Sequence, residues 1–226
     1  MFRNLFPSLI VLALAVGGSY AWVQSRSGPA EPQYADLAAI EQVVDVQATD
    51  GVEVVEMSLG AEDAPVTIVE YASFTCPHCA TYHKDVFGKL KAEYVDTGKV
   101  RIVVRDVYFD RFGLWAAMLA RCGGAEKFFG VSDLIYNRQR EWTSGESNAE
   151  IVQNLMKLGR LAGMEDDQMN ACLQDSAMAQ ALVAEYQKNA EADEINSTPS
   201  FVINGKKYAN MAYPDFKDTL DGLLAE

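Results

Sequence analysis

The chain carries only two histidines and four cysteines in 226 residues, and its 19 lysines and arginines are outnumbered by 32 acidic residues. A net charge of −13 argues against nucleic acid and anionic membrane surfaces as partners. The two histidines, His78 and His83, both lie near cysteines, so Ser/His/Asp hydrolase chemistry has little to be built from. No phosphate-cradling glycine loop follows a strand-like run, and the nucleotide-binding classes that require one fall away. A c-type haem site fails at Ala80, where C-x-x-C-H needs histidine. Apolar residues at 49% and charged residues at 23% exclude wholesale disorder, and the length allows one or two domains with a sizeable core.

The N-terminus departs from this background. Arg3 gives a short basic start, Leu5 to Val16 is mostly apolar, and small residues end at Ala21, the layout of a secretory leader cleaved after Ala21. An uncleaved membrane anchor is the rival reading, because the apolar stretch reaches Val23. Both place the remainder outside the cytoplasm. Residues 22–34 have linker composition, and Leu37, Ile40 and Val44 stand at helical spacing within 35–46, as a packed or frayed helix or a small oligomerisation element.

What the sequence does have is concentrated between Glu70 and His83. An apolar run over residues 66–72 predicts a strand that delivers the chain to Cys76-Pro77-His78-Cys79, after which a helical pattern begins at once. Cys76 falls at the mouth of that helix and Cys79 one turn in, so the pair can close a small disulfide. Pro77 suits a first helical turn, having no N–H to leave unpaired. The helix dipole at Cys76, with His78 as an added donor or positive charge, favours thiolate over thiol. Cys76 is therefore the expected nucleophile and Cys79 the inward-facing second thiol. Stabilising the reduced form makes the disulfide a stronger oxidant. Glu70 sits in the same apolar run, where an acid is costly without a task. Proton exchange with Cys79 is one reading; a solvent-facing edge position is the other.

Further along, helical spacing through Tyr82, Val86, Leu90 and Tyr94 stops at Gly98, and residues 100–105 alternate as a strand, giving a β-α-β unit. Residues 52–59 predict a first strand. From 113 to 193 only helices are legible, including one over 126–140 and one opened by a capping box at Ser147 and Glu150. A strand, an Asn204-Gly205 turn, a second strand and a helix from Tyr213 close the chain. The expected division is a signal peptide (1–21), a linker and N-terminal extension (22–50), a first α/β part (51–112), a helical domain (113–193) and a returning α/β part (194–226). Cys122 and Cys172 form the natural second pair in an exported chain, a structural disulfide or two buried thiols.

The F-T-C-P-H-C run after V-E-Y-A-S, with Thr198-Pro199 downstream, resembles the DsbA family of bacterial thiol:disulfide oxidoreductases over roughly residues 60–226. The resemblance implies an α/β thioredoxin-like fold with an inserted all-helical domain and a periplasmic oxidase. It further implies a cis bond at Thr198–Pro199 against the reactive disulfide, with a substrate-docking edge there; the residues alone allow a trans turn. The implied partners are unfolded or partly folded exported proteins with reduced cysteines and a DsbB-like membrane reoxidant. A monomer without cofactor is expected. Two rivals are weighed: a reductase or isomerase of the same fold, and a metal-binding module using Cys76, Cys79 and His83. The module lacks a second Cys/His cluster to supply a fourth ligand.

Overall fold

A computed structural model describes residues 51–226. The leader with its Ala21 cleavage site, the 22–34 linker and the 35–46 helix lie outside the described residues. Five strands form one sheet in the order β1-β3-β2-β4-β5, with β1 at Met57–Leu59, β2 at Val66–Ala72, β3 at Val100–Asp106, β4 at Ser200–Ile203 and β5 at Lys206–Ala209. β2 and β3 pair in parallel across the helix that joins them, and the other neighbours are antiparallel.

The first strand is shorter than the expected 52–59. Arg121 donates to the Val55 carbonyl at 2.8 Å and to the Asp106 carboxylate at 2.7 Å, so the chain before Met57 bonds to a side chain instead of continuing the ladder. The β1–β2 turn needs glycine at Gly60, whose φ is +101° and where a Cβ would lie 2.5 Å from the Val100 carbonyl oxygen. The β4–β5 hairpin turns on Asn204 and Gly205, both at positive φ, as a two-residue turn between right-twisted strands requires.

Helix α1 runs continuously over residues 77–95 and includes two π-helical stretches, His83–Phe87 and Lys91–Val95. Its apolar residues recur every four positions, which would drift around an ideal helix of 3.6 residues per turn. The wider π turns correct that drift, and Tyr82, Val86, Leu90 and Tyr94 are all buried. Gly98 ends the helix at positive φ, with its N–H donated to the Val95 carbonyl.

Between β3 and β4 come α2 (Arg111–Cys122), α3 (Ala125–Asn137), α4 (Gln139–Trp142), α5 (Asn148–Leu161), α6 (Asp166–Leu173) and α7 (Ser176–Ala192); α8 (Tyr213–Leu224) follows β5. Asp110, Ser147 and Asp175 accept the N-terminal amides of α2, α5 and α7. The capping box is offset by one residue, because Glu150 takes the N–H of Glu146 at 2.7 Å. The helix expected over 126–140 breaks at Arg138 (φ −112°, ψ 22°), and the break turns Gln139 inward.

The helices and one sheet face share a continuous core, from Ile68 and Ile102 through Trp115 and Phe128 to Leu155. On the other face Tyr71, Val107 and Val202 pack with Tyr186 of α7. There the Tyr71 hydroxyl donates to the Asp193 carboxylate and accepts from Arg105 at 2.7 Å, and Arg105 also reaches Asp193 at 3.0 Å. This network fastens the end of the helical insertion to the central strand.

A disulfide joins Cys122 and Cys172, 50 residues apart in sequence, and ties the end of α2 to α6. Constraining a loop of that length is worth about 4 kcal/mol in the chain-entropy account. Replacing both cysteines with serine should lower unfolding stability by roughly that amount in urea titration, with the C-P-H-C pair still able to cycle.

Candidate active site

Central strand β2 ends at Ala72, and Ser73, Phe74 and Thr75 carry the chain from its end to Cys76. Cys76 is the N-cap of α1 (φ −78°, ψ 118°) with Pro77 as the first helical residue. The fixed φ and missing N–H of proline suit that position, and the turn leaves the amides of His78 and Cys79 free to face the Cys76 sulfur. Both motif cysteines are free thiols. Cys76 is 8% exposed and Cys79 wholly buried.

These surroundings split the two thiols. The Cys76 pKa is lowered from 9.0 to about 5, first by the hydrogen bond from the Cys79 thiol, then by Thr198 and by the backbone N–H groups of Cys79 and His78, all against an opposing effect of burial. Cys79 moves strongly upward because it is buried and because its proton is donated to Cys76. At neutral pH the site holds a Cys76 thiolate and a Cys79 thiol. The His78 contribution comes from its main chain; its imidazole is exposed.

Two residues of the helical insertion and its threshold hold the loop before Cys76. Asp110, while capping α2, accepts the Thr75 hydroxyl at 2.8 Å. Gly113 comes so close that a Cβ there would lie 3.3 Å from the Ser73 hydroxyl. From the other side, buried Gln139 donates its amide to the carbonyls of Phe74 at 2.8 Å and Cys76 at 3.0 Å. Sequence reasoning missed both residues. Asp110 carried a legible N-cap signal, whereas Gln139 acts across 63 positions of chain and carries no local pattern.

Across from Cys76, the Thr198–Pro199 bond is cis. The Cys76 sulfur lies 3.5 Å from the Thr198 carbonyl oxygen. The Thr198 hydroxyl is buried without a partner in the dithiol, a donor free to serve the thiolate. β4 is paired on both sides, with β2 and β5. Backbone not engaged by these two strands begins ahead of Ser200, where Thr198 and Pro199 lie.

Beneath the cysteines lies a buried polar pocket. Glu70 is fully buried on a central strand, which excludes the solvent-edge reading, and neither of its carboxylate oxygens has a hydrogen-bond partner. Burial, helped by the Asp106 charge, raises its pKa to about 8. His83, one helical turn beyond Cys79, approaches Glu70 to 4.0 Å and is stacked between Phe87 and Tyr136 at centroid distances of 4.4 and 4.2 Å. Burial lowers its pKa to about 3. Both groups are therefore neutral neighbours at pH 7, not an ion pair. His83 is thus packed between two rings with its Nε2 on the side of Glu70. Among the described residues no three Cys, His, Asp or Glu side chains group as metal ligands.

A helix-capping dithiol facing a cis proline, at the end of the central strand of a mixed sheet, defines a thioredoxin-type redox site. The thioredoxin family model matches residues 53–222, and the chain belongs to that family. A Rickettsia conorii protein described as a protein-disulfide oxidoreductase is 34% identical over 182 residues, 80% of this chain and 65% of the relative. A Bacillus anthracis protein described as disulfide bond formation protein D is 30% identical over 167 residues, 71% of this chain and 73% of the relative. The chain spans 61% to 66% of the length of its Rickettsia relatives. Among solved structures, alpha-DsbA1 of Wolbachia pipientis superposes with a TM-score of 0.68 at 27% identity, over 79% of this chain and 96% of that one. The DsbA resemblance and the thioredoxin-like fold with inserted helices stand on these matches.

The raised Glu70 pKa has a thermodynamic signature. The folded chain keeps a proton that the unfolded chain releases above its ordinary carboxyl pKa of 4.5. The stabilisation is full below that pH and is lost as pH rises through about 8, by up to about 1.4 kcal/mol per pH unit. Urea unfolding of wild type and Glu70→Gln across this window should show the variant gaining steadily on the wild type as pH rises. Parallel profiles would refute the buried neutral carboxyl.

Proposed function

We propose that the chain is an exported thiol:disulfide oxidase that donates the Cys76–Cys79 disulfide to reduced proteins. The observation that carries this reading is the Cys76 sulfur at the N-cap of α1, with the Cys79 thiol and two backbone amides turned toward it, surroundings that lower its pKa to about 5. Whatever stabilises the dithiol form makes its disulfide more oxidising. The names of the Rickettsia and Bacillus relatives speak of disulfide oxidoreduction and disulfide bond formation, which agrees with this class of chemistry.

In the cycle, a client thiolate attacks the Cys76 sulfur of the disulfide. The Cys76–Cys79 bond breaks, and Cys79 leaves with the electron pair. A buried Cys79 thiolate is costly, and neutral Glu70 beneath the motif supplies its proton, to be reprotonated from solvent. The second client thiolate then attacks the client sulfur of the mixed disulfide, and Cys76 leaves as the stabilised thiolate. The client loses two electrons and two protons; the protein gains the electrons, Cys79 keeps one proton and solvent receives the other. Thr198 and Pro199 supply the docking backbone, and Pro77 and His78 shape the turn that aims the amides. The reductant-side partner is a reduced, unfolded or partly folded exported protein. Reoxidation falls to a DsbB-like membrane protein. The leader over residues 1–21 supports a periplasmic location, cleaved or anchored, with the chain acting as a monomer.

The test is oxidation of reduced, unfolded ribonuclease by stoichiometric disulfide-form protein, run beside reactivation of scrambled ribonuclease by the dithiol form. Fast oxidation with slow reactivation is expected, Cys76→Ser should abolish oxidation, and Cys79→Ser should accumulate a mixed disulfide through Cys76. Fast reactivation with poor oxidation would assign an isomerase instead.

A further inference from the structure

A groove of about 460 Å3 runs along the first two turns of α1, beside the junction of α3 and α4. One wall is the face of α1 shared by Pro77, Thr81 and Lys84, which lie four and three residues apart. The other wall includes Arg138, Arg140 and Glu141. Pro77 directly follows the nucleophile, and Gln139, between the two arginines, holds the Cys76 carbonyl at 3.0 Å. The groove thus opens one residue from the reactive sulfur.

Its charge runs against the rest of the molecule. On a chain of net charge −13, three of the four ionisable groups named in this groove are cations. Glu141 offsets only Arg138, at 3.6 Å, in a pair whose side chains are 45% and 70% exposed, where attraction is weak. Lys84 and Arg140 are exposed and have no ion-pair partner among the described residues. No acidic residue stands in the first turn of the Cys76 helix. A concave surface lined by one sign of charge concentrates ligands of the other sign and speeds their association.

We propose that this groove is a specificity subsite that selects clients carrying aspartate or glutamate close to the cysteine being oxidised. The inference rests on the oxidase reading and adds a substrate class to it. The sulfur chemistry is unchanged; the groove raises the rate of productive encounter with acidic segments and lowers it for basic ones. Net charge alone would order clients the other way, since a strongly acidic protein attracts basic chains. The two expectations are therefore opposite in sign.

The experiment uses three dithiol peptides of one sequence, differing only in whether the residues flanking the first cysteine are acidic, neutral or basic. Their kcat/KM for oxidation by the disulfide-form protein is measured at about 0.01 M and about 1 M salt, where the screening length falls from about 30 Å to about 3 Å. At low salt the acidic peptide should exceed the neutral one by roughly 2- to 5-fold for each charge engaged, the basic peptide should fall below it, and high salt should erase the order. Lys84→Glu with Arg140→Glu should reverse the order, and Lys84→Glu alone should weaken it, while Lys157→Glu, the same charge change as that single variant but on α5 outside the groove, should leave it intact. Equal rates for the three peptides at low salt, or an equal shift from Lys157→Glu, would overturn the subsite and leave the oxidase reading standing. Failure to oxidise even the neutral peptide would remove both.

Discussion

The site depends on keeping one sulfur ionised while the sulfur beside it stays protonated. Cys76 holds a negative charge because donors converge on it: the Cys79 thiol, Thr198, and the main-chain N–H groups of His78 and Cys79. Pro77 fixes the helix start, and Asp110 and Gln139 hold the loop before it; the Thr198 carbonyl, 3.5 Å from the sulfur, accepts from the Cys76 thiol and is no donor to the thiolate. Preorganised dipoles of this kind stabilise charge without reorganising when the charge appears.

The helical insertion gains a physical role from this arrangement. It shares the hydrophobic core of the sheet, and through Gln139, Tyr136 and the Asp110 cap it braces the reactive turn and packs against His83. The buried pocket under the turn is equally dependent on packing. Glu70 stays neutral because it is buried, lacks hydrogen-bond partners and feels the Asp106 charge. A neutral carboxyl is what a departing Cys79 thiolate needs from a proton donor. Solvent access to Glu70 would lower its pKa toward an ordinary value and remove the proton donor proposed for Cys79.

Much of this was legible in the sequence wherever the cause is local. The strand into C-P-H-C, Pro77 at the first helical position, the Gly98 stop, the Ser147 cap and the Asn204-Gly205 hairpin each rest on a few adjacent residues. Glu70 was marked by its place in an apolar run, and the Cys122–Cys172 pair by elimination among four cysteines. The cis bond came from the family resemblance alone, since Thr198-Pro199 also permits a trans turn. What escaped depends on chain segments meeting in space. Gln139 is an ordinary polar residue until the break at Arg138 turns it inward, and the His83 environment is made by Tyr136 from another helix. The first strand stopped short because Arg121, from a distant helix, takes the Val55 carbonyl. The π turns of α1 were foreshadowed by a four-residue apolar spacing that an ideal α-helix does not match.

The most direct test of the account is a titration of the dithiol-form protein by thiolate absorbance, with alkylation mapping to assign the signal to Cys76. The depressed pKa favours the reduced state fully above the ordinary value of 9.0, and this advantage is lost as pH falls through about 5. A Cys76 midpoint near 5, rising when Cys79→Ala removes the leading donor, is the result the account predicts. A midpoint near 9 in the intact protein would contradict it, because the convergent donors would then not be holding the charge on which the proposed chemistry turns.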